Sequence, residues 1–131
     1  MVTSYALGLG CEQGCDPAEL QALAEKVLGE VSKSSLLLAG VFTIDQRLME
    51  PAVNSVARWL GLPLKAFDAD TLEQETPRLL NPSKQVFELV GCHGVAEAAA
   101  LAGGGPKARL VVGKTKSAHA TAALAIYDPS Q

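Results

Sequence analysis

Three consecutive segments restrict what this chain can fold into. Ser4 to Leu9 reads as a short apolar strand, and Asp16-Pro17 then supplies an N-cap and a first-turn proline. Leu20, Leu23, Ala24, Val27, Leu28 and Val31 follow at helical spacing as one apolar stripe. Leu36 to Phe42 is a bounded apolar run of strand length, the pattern of a strand buried on both faces. Strand, helix and strand in that order predict parallel pairing across a helical crossover.

The rest of the chain extends the pattern. A second helix is predicted from Pro51 to Trp59-Leu60 with Gly61 as its stop, and Leu62 to Phe67 returns as a strand. Short helices are expected at Asp70 to Glu73, at Ser83 to Val90 and at Val95 to Ala102, the last ending at Gly103-Gly104-Gly105-Pro106. Arg109 to Gly113 and Thr121 to Tyr127 are the final strands, with Lys114 to Ala120 joining them as an antiparallel hairpin. The expected fold class is α/β: a single three-layer α/β/α domain over residues 1–131, with a mixed, mostly parallel sheet of about five strands ending in that hairpin. The 20 alanines and 19 leucines, against 5% aromatics, imply a core of small and aliphatic side chains on regular elements.

Composition excludes several function classes. The longest apolar run is far shorter than the roughly 20 residues that span a bilayer, and no signal-peptide pattern opens the chain, so cytoplasm is the default compartment, with no membrane partner. Residues 1–75 hold 11 acids and 5 bases, whereas residues 76–131 hold 3 acids and 6 bases. Lys107, Arg109, Lys114 and Lys116, with His119, form an acid-free stretch that suits an anionic ligand but is too small for nucleic acid. Cys11, Cys15 and Cys92 are an odd set with only His93 and His119 to assist, so neither a disulfide framework nor a metal site is expected, and no cofactor is implied.

Two glycine-framed turns carry the ligand hypotheses. Gly8-Leu9-Gly10-Cys11-Glu12-Gln13-Gly14 lies between a strand and a helix, where glycines let backbone amides approach a phosphate or carboxylate. Its spacing has one residue too many for a dinucleotide loop, and the acidic ribose anchor is missing, so a nucleotide site is the weaker reading. Cys11, beside the helix start, is a candidate for a lowered thiol pKa or for plain packing. Gly91-Cys92-His93-Gly94 is the second turn, with Glu97 in the helix after it; Glu97 and His93 are candidate acid/base groups, against capping and ordinary turn roles. Thr43 and Asp45 fall at the end of the second strand, where open α/β sheets bind ligands, and Lys114 and Thr115 belong to a polar hairpin loop.

These pieces, in this order, resemble the CobE family, which is similar to the C-terminal domain of CbiG. The carriers are Gly8 to Gly14 with Glu19-Leu20, then Thr43-Ile44-Asp45, Leu60-Gly61-Leu62-Pro63-Leu64, Gly91-Cys92-His93-Gly94-Val95-Ala96-Glu97-Ala98-Ala99-Ala100-Leu101, and Lys114 with Thr121. Gly94 departs from the pattern, since the family often has serine there, which removes a hydroxyl contact. The resemblance implies a role in cobalamin (vitamin B12) biosynthesis, with a precorrin-type tetrapyrrole as ligand and other enzymes of that pathway as partners. For CbiG-type proteins it implies opening of a lactone on ring A with loss of a two-carbon fragment. A chain of this size resembles the CobE-family proteins of the oxygen-dependent pathway, where an auxiliary or carrier role is expected, with a hydrolase or lyase as the alternative.

Overall fold

Apolar segments and caps place the elements as follows in the computed structural model, which describes residues 3–31 and 37–130. Strands β1 (Ser4–Cys11), β2 (Leu38–Ile44), β3 (Leu64–Phe67), β4 (Arg109–Lys116) and β5 (Ala120–Tyr127) form one sheet in the order β3-β2-β1-β5-β4. The first three strands are parallel, and β5 runs antiparallel between β1 and β4. Helices α1 (Pro17–Leu28), α2 (Pro51–Leu60), α3 (Ala69–Glu73), α4 (Lys84–Val90) and α5 (Ala96–Gly104) complete the fold. The α/β class and the mixed, mostly parallel five-stranded sheet match the sequence expectation. Leu36, with which the second strand was expected to begin, lies outside the described residues together with Ser34 and Ser35.

The two faces of β1 explain the layers. Tyr5, Leu7 and Leu9 enter a core with Leu20, Leu23, Ala24 and Val27 of α1 and Ala52, Val53 and Val56 of α2. Ala6, Gly8 and Gly10 alternate onto the opposite face, where Ala100 and Leu101 of α5 pack with Ala125 of β5. That face is built of small side chains, so the alanine-rich α5 lies almost on the sheet backbone. Gly61, in the left-handed region at φ 68°, ends α2 and donates to the carbonyls of Ala57 and Arg58.

Of the boundaries that differ from the sequence reading, three bear on the site. β1 continues to Cys11, so Gly8 and Gly10 are strand residues, not loop residues. The reason is the close seat of α5: a Cβ at Gly8 would stand 1.9 Å from the Ala96 carbonyl oxygen. α5 runs through Gly103 and Gly104, where a Cβ would meet the Phe42 ring at 2.6 Å and Ala108 at 2.7 Å. β4 runs on to Lys116, so Lys114 and Thr115 belong to a strand, and only Ser117 to His119 turn the corner.

β4 accommodates those polar residues as an edge strand with two irregularities. Between Val112↔Leu124 and Thr115↔Ala122 it carries one residue more than its partner, a bulge at Gly113-Lys114. The bulge frees the Lys114 N–H from the ladder, and a side chain of α5 takes it up.

Candidate functional site

The carboxyl ends of β1, β2 and β4 share one edge of the sheet, and there the connections divide. α1 and α2 cover one face and α5 the other, which opens a crevice beside β1, the usual ligand position in open α/β sheets. A cleft of about 550 Å³ occupies it. Gly10 and Cys11 form part of its floor, Val86, Leu89 and Val90 of α4 one wall, and Lys114, Lys116 and His119 of the hairpin the opposite wall. Gln46 and Arg47 close one end, and the first turn of α5, from Gly94 to Glu97, lies along the base. α5 begins at Val95 with no side-chain cap.

Arg47 is fixed by its Nε–H, which donates to the Cys11 carbonyl at 2.7 Å. Burial and the neighbouring Lys116 hold the Lys114 ammonium below the ordinary lysine range, opposed by Glu97. The cleft thus carries apolar side chains from α4 and basic ones from Arg47, Lys114 and Lys116, with the Glu12 carboxylate in the lining beside His119.

Glu97 is only 2% exposed, yet its carboxylate is fully engaged. Oε1 accepts from the N–H groups of Leu80 and Asn81, each at 3.0 Å, and Oε2 accepts from Asn81 Nδ2 at 2.9 Å and from the Lys114 N–H at 2.8 Å. One side chain thus ties the 79–81 segment and the β4 bulge to α5. Its four donors are those of a structural cap, and they occupy the oxygens an acid/base role would need.

The other residues singled out from the sequence divide between cleft and scaffold. Gly10, Cys11, Gly94, Glu97 and Lys114 line the cleft, whereas Gly8, Gly14, Thr43, Asp45, Gly91, His93 and Thr115 do not. The Thr43 hydroxyl is buried and donates to the Leu9 carbonyl at 2.7 Å, bracing β2 against β1. Asp45 opens a 3-10 turn, Asp45–Arg47, where its carbonyl accepts from the Leu48 N–H. The Gly14 N–H donates to the buried Glu50 carboxylate, and Asp16 caps α1 through the Ala18 N–H at 2.9 Å. Gly91 ends α4 at φ 89°. The Thr115 hydroxyl donates to the Gly113 carbonyl within the bulge. His93 faces α3, with Nδ1 2.8 Å from Glu73 Oε2 and its ring stacked on Phe87.

Cys11 does not have a helix-lowered pKa: burial, then the neighbouring Cys15 and Glu50, push its thiol up to about 12. Sequence reasoning did not single out Gln46, Arg47, Asn81 or Gln85, whose places come from tertiary packing. Among the described residues, no group of three or more histidine, cysteine or carboxylate side chains is placed to hold a metal. No helix among them is long and apolar enough to cross a membrane.

The hairpin corner is latched to α1. Glu19 accepts from the Ser117 hydroxyl and from the His119 N–H at 2.7 Å, while His119 Nδ1 lies 2.8 Å from Glu12 Oε2. The bond to Glu12 raises the imidazole above its usual value, and the bonds from Ser117 and His119 lower the Glu19 carboxyl. The His119 contribution is complete below the unfolded imidazole value and fades as pH rises through the raised folded one. The Glu19 contribution holds above the unfolded carboxylate value and fades as pH falls through the lowered folded one. The corner should be held tightest at mildly acidic pH. In an NMR titration, His119 should show a midpoint above that of free histidine, and Glu12→Gln should bring it down; a midpoint indifferent to Glu12→Gln contradicts the latch.

Comparison with known proteins adds a family context. Residues 5–125 match the family model described as Cobalamin synthesis G C-terminus. The chain is 50% identical over 119 residues to Protein CobE of Sinorhizobium sp, covering 91% of this chain and 77% of that protein. It is 31% identical over 125 residues to the cobalt-precorrin-5A hydrolase of Priestia megaterium, 94% of this chain but only 33% of the hydrolase, so it spans about a third of that enzyme. A crystal structure of CobE, a protein from the cobalamin (vitamin B12) biosynthetic pathway, superposes with a TM-score of 0.86 at 34% identity over 98% of this chain and 93% of that one. The cobalamin biosynthesis protein chiG of Agrobacterium tumefaciens str. C58 shares the fold, with a TM-score of 0.66 at 24% identity over 95% of this chain and 98% of that one.

Proposed function

Given that this chain belongs to the Cobalamin synthesis G C-terminus family and is a protein of cobalamin biosynthesis, we propose that it binds a precorrin-type tetrapyrrole intermediate in the cleft, as an auxiliary or carrier protein. The observation that carries this reading is that one cleft is lined by both apolar and basic side chains. A corrin precursor is a broad apolar macrocycle ringed by acetate and propionate carboxylates. Val86, Leu89, Val90 and Val95 offer apolar surface to the macrocycle, and Lys114, Lys116 and Arg47 offer charge-assisted hydrogen bonds to its rim. Holding, not transformation, is favoured because Glu97 is spent on four donors and His93 stands outside the cleft.

The test is a titration with dicyanocobyrinic acid, a corrin with free carboxylates, followed by its visible absorption. Binding should weaken as salt is raised, and Lys114→Ala and Lys116→Ala should each cost about tenfold in affinity. No binding by the wild-type chain overturns the reading. The likeness to cobalt-precorrin-5A hydrolase supports a second reading, hydrolysis or lyase action on a lactone or acyl side group. It requires turnover of a lactone-bearing intermediate that falls with Glu97→Gln or His93→Ala, and full turnover in both variants would remove these acid/base assignments. The cytoplasm and partner enzymes of the same pathway complete the proposal.

A further inference from the structure

Resting on this cleft reading, we propose that His93 is a positioning residue: from behind α4, it sets the place of the wall against which the macrocycle lies. α4 has seven residues, none of them buried, and Leu89 is 75% exposed; with Val90 at its end packed against the core, neither its own length nor a buried face fixes the rest of it. Contacts at single residues do. The His93 carbonyl accepts from the N–H of Ser83, the α4 N-cap, at 2.7 Å. Its ring stacks on Phe87 in mid-helix, with centroids 4.5 Å apart and planes 23° from parallel.

The same ring is held from the other side. Nδ1 lies 2.8 Å from Glu73 Oε2, and the His93 N–H donates to Glu73 Oε1 at 3.0 Å. Glu73 itself accepts from the Thr76 hydroxyl at 2.8 Å. An ionised carboxylate only accepts, so Nδ1 carries the proton. The far end of α4 is tied by Gln46 Nε2, which donates to the Val90 carbonyl at 3.1 Å, and by the Val90 side chain, which packs against the core around Ile44 and Leu72, before Gly91 at φ 89° turns the chain.

The path from scaffold to wall is thus Glu73, His93, Phe87 and then the cleft-facing set Gln85, Val86, Leu89 and Val90. Phe87 lies outside the cleft lining, on the side of α4 that meets His93. Removing the imidazole takes away the surface on which Phe87 stacks and the side-chain partner of Glu73 Oε2, while the Thr76 hydroxyl and the His93 N–H still donate to Oε1.

Amide exchange read by mass spectrometry tests this on the full chain without ligand, paired with the dicyanocobyrinic acid titration. His93→Ala should speed exchange over residues 84–90 about tenfold and leave residues 17–28 unchanged. Affinity for the corrin should fall about tenfold, since the competent wall position is less populated. His93→Asn keeps a donor toward Glu73 without the stacked ring, and His93→Phe keeps the stack without the donor; each should recover part of both losses. Unchanged exchange over 84–90 in the Ala and Phe variants overturns the proposal, as does faster exchange in every element, which marks a general stability role. Faster α4 exchange with unchanged affinity also overturns it. Failure of the wild-type chain to bind the corrin is the separate failure of the cleft reading, and it removes the ligand role of His93 with it.

Discussion

Replacing Gly8 by alanine should cost about 3 kcal/mol of unfolding free energy, near the upper end for an overpacked site. The added Cβ would stand 1.9 Å from the Ala96 carbonyl oxygen and 2.7 Å from the Ala100 nitrogen. Both are backbone atoms of α5, so no rotamer change relieves the clash, and the helix has to lift from the sheet. Its first turn lines the cleft, so corrin binding should fall together with stability. Gly61→Ala is the control: nothing lies within 4 Å of its added Cβ, and the cost there is the left-handed backbone alone, about 1 kcal/mol. Urea denaturation with matched slopes distinguishes them. A Gly8→Ala chain within 1 kcal/mol of wild type would show that α5 can move without cost.

Glu97→Ala should be comparably severe, about 4 kcal/mol. It would take the acceptor from the N–H groups of Leu80, Asn81 and Lys114 and from the Asn81 side-chain amide; a donor left buried without a partner costs about 1–3 kcal/mol, and water reaching the exposed Leu80 and Asn81 recovers part of the sum. Glu97→Gln separates hydrogen bonding from charge. The amide oxygen keeps the bonds from Leu80 and Asn81, and the Asn81 side chain can turn its own oxygen to meet the new NH2. Only the Lys114 N–H then faces a donor, for a cost of about 2 kcal/mol. In the same denaturation series, Glu97→Ala losing no more than Glu97→Gln would refute the cap. The Lys114 amide should also exchange faster in Glu97→Ala.

Position 8 also shows where sequence reading reached its limit. Helix α1 was legible because its proline, cap and apolar stripe are local signals, and the parallel pairing of the first half follows from the alternation of strand and helix. Gly8 and Gly10 read as a ligand loop because glycine between a strand and a helix has two explanations, close approach of a ligand or of another backbone. At Gly8 the backbone of α5 supplies the close approach, whereas Gly10 lines the cleft. Lys114-Thr115 read as a loop because polarity mimics exposure, whereas an edge strand with a bulge carries polar residues at little cost. Arg47 and Asn81 carried no signal of their own, and their places in the cleft come from the 3-10 turn and from the Glu97 cap. The basic character of the last segment was legible as charge, and the cleft gives it a location.

The antiparallel register of β1 and β5 has a consequence for how this unit can be joined to other proteins. Ser4 pairs with Tyr127 at one end of the two strands, and Cys11 pairs with Ala120 at the other, beside the cleft. At about 3.3 Å per residue the two ends are roughly 23 Å apart. Both outer ends of this strand pair therefore leave the sheet together, on the side remote from the ligand cleft. A neighbouring domain fused before β1 or after β5 would hang from the same pole and leave the cleft open, which makes the unit as suited to life inside a longer polypeptide as to life alone.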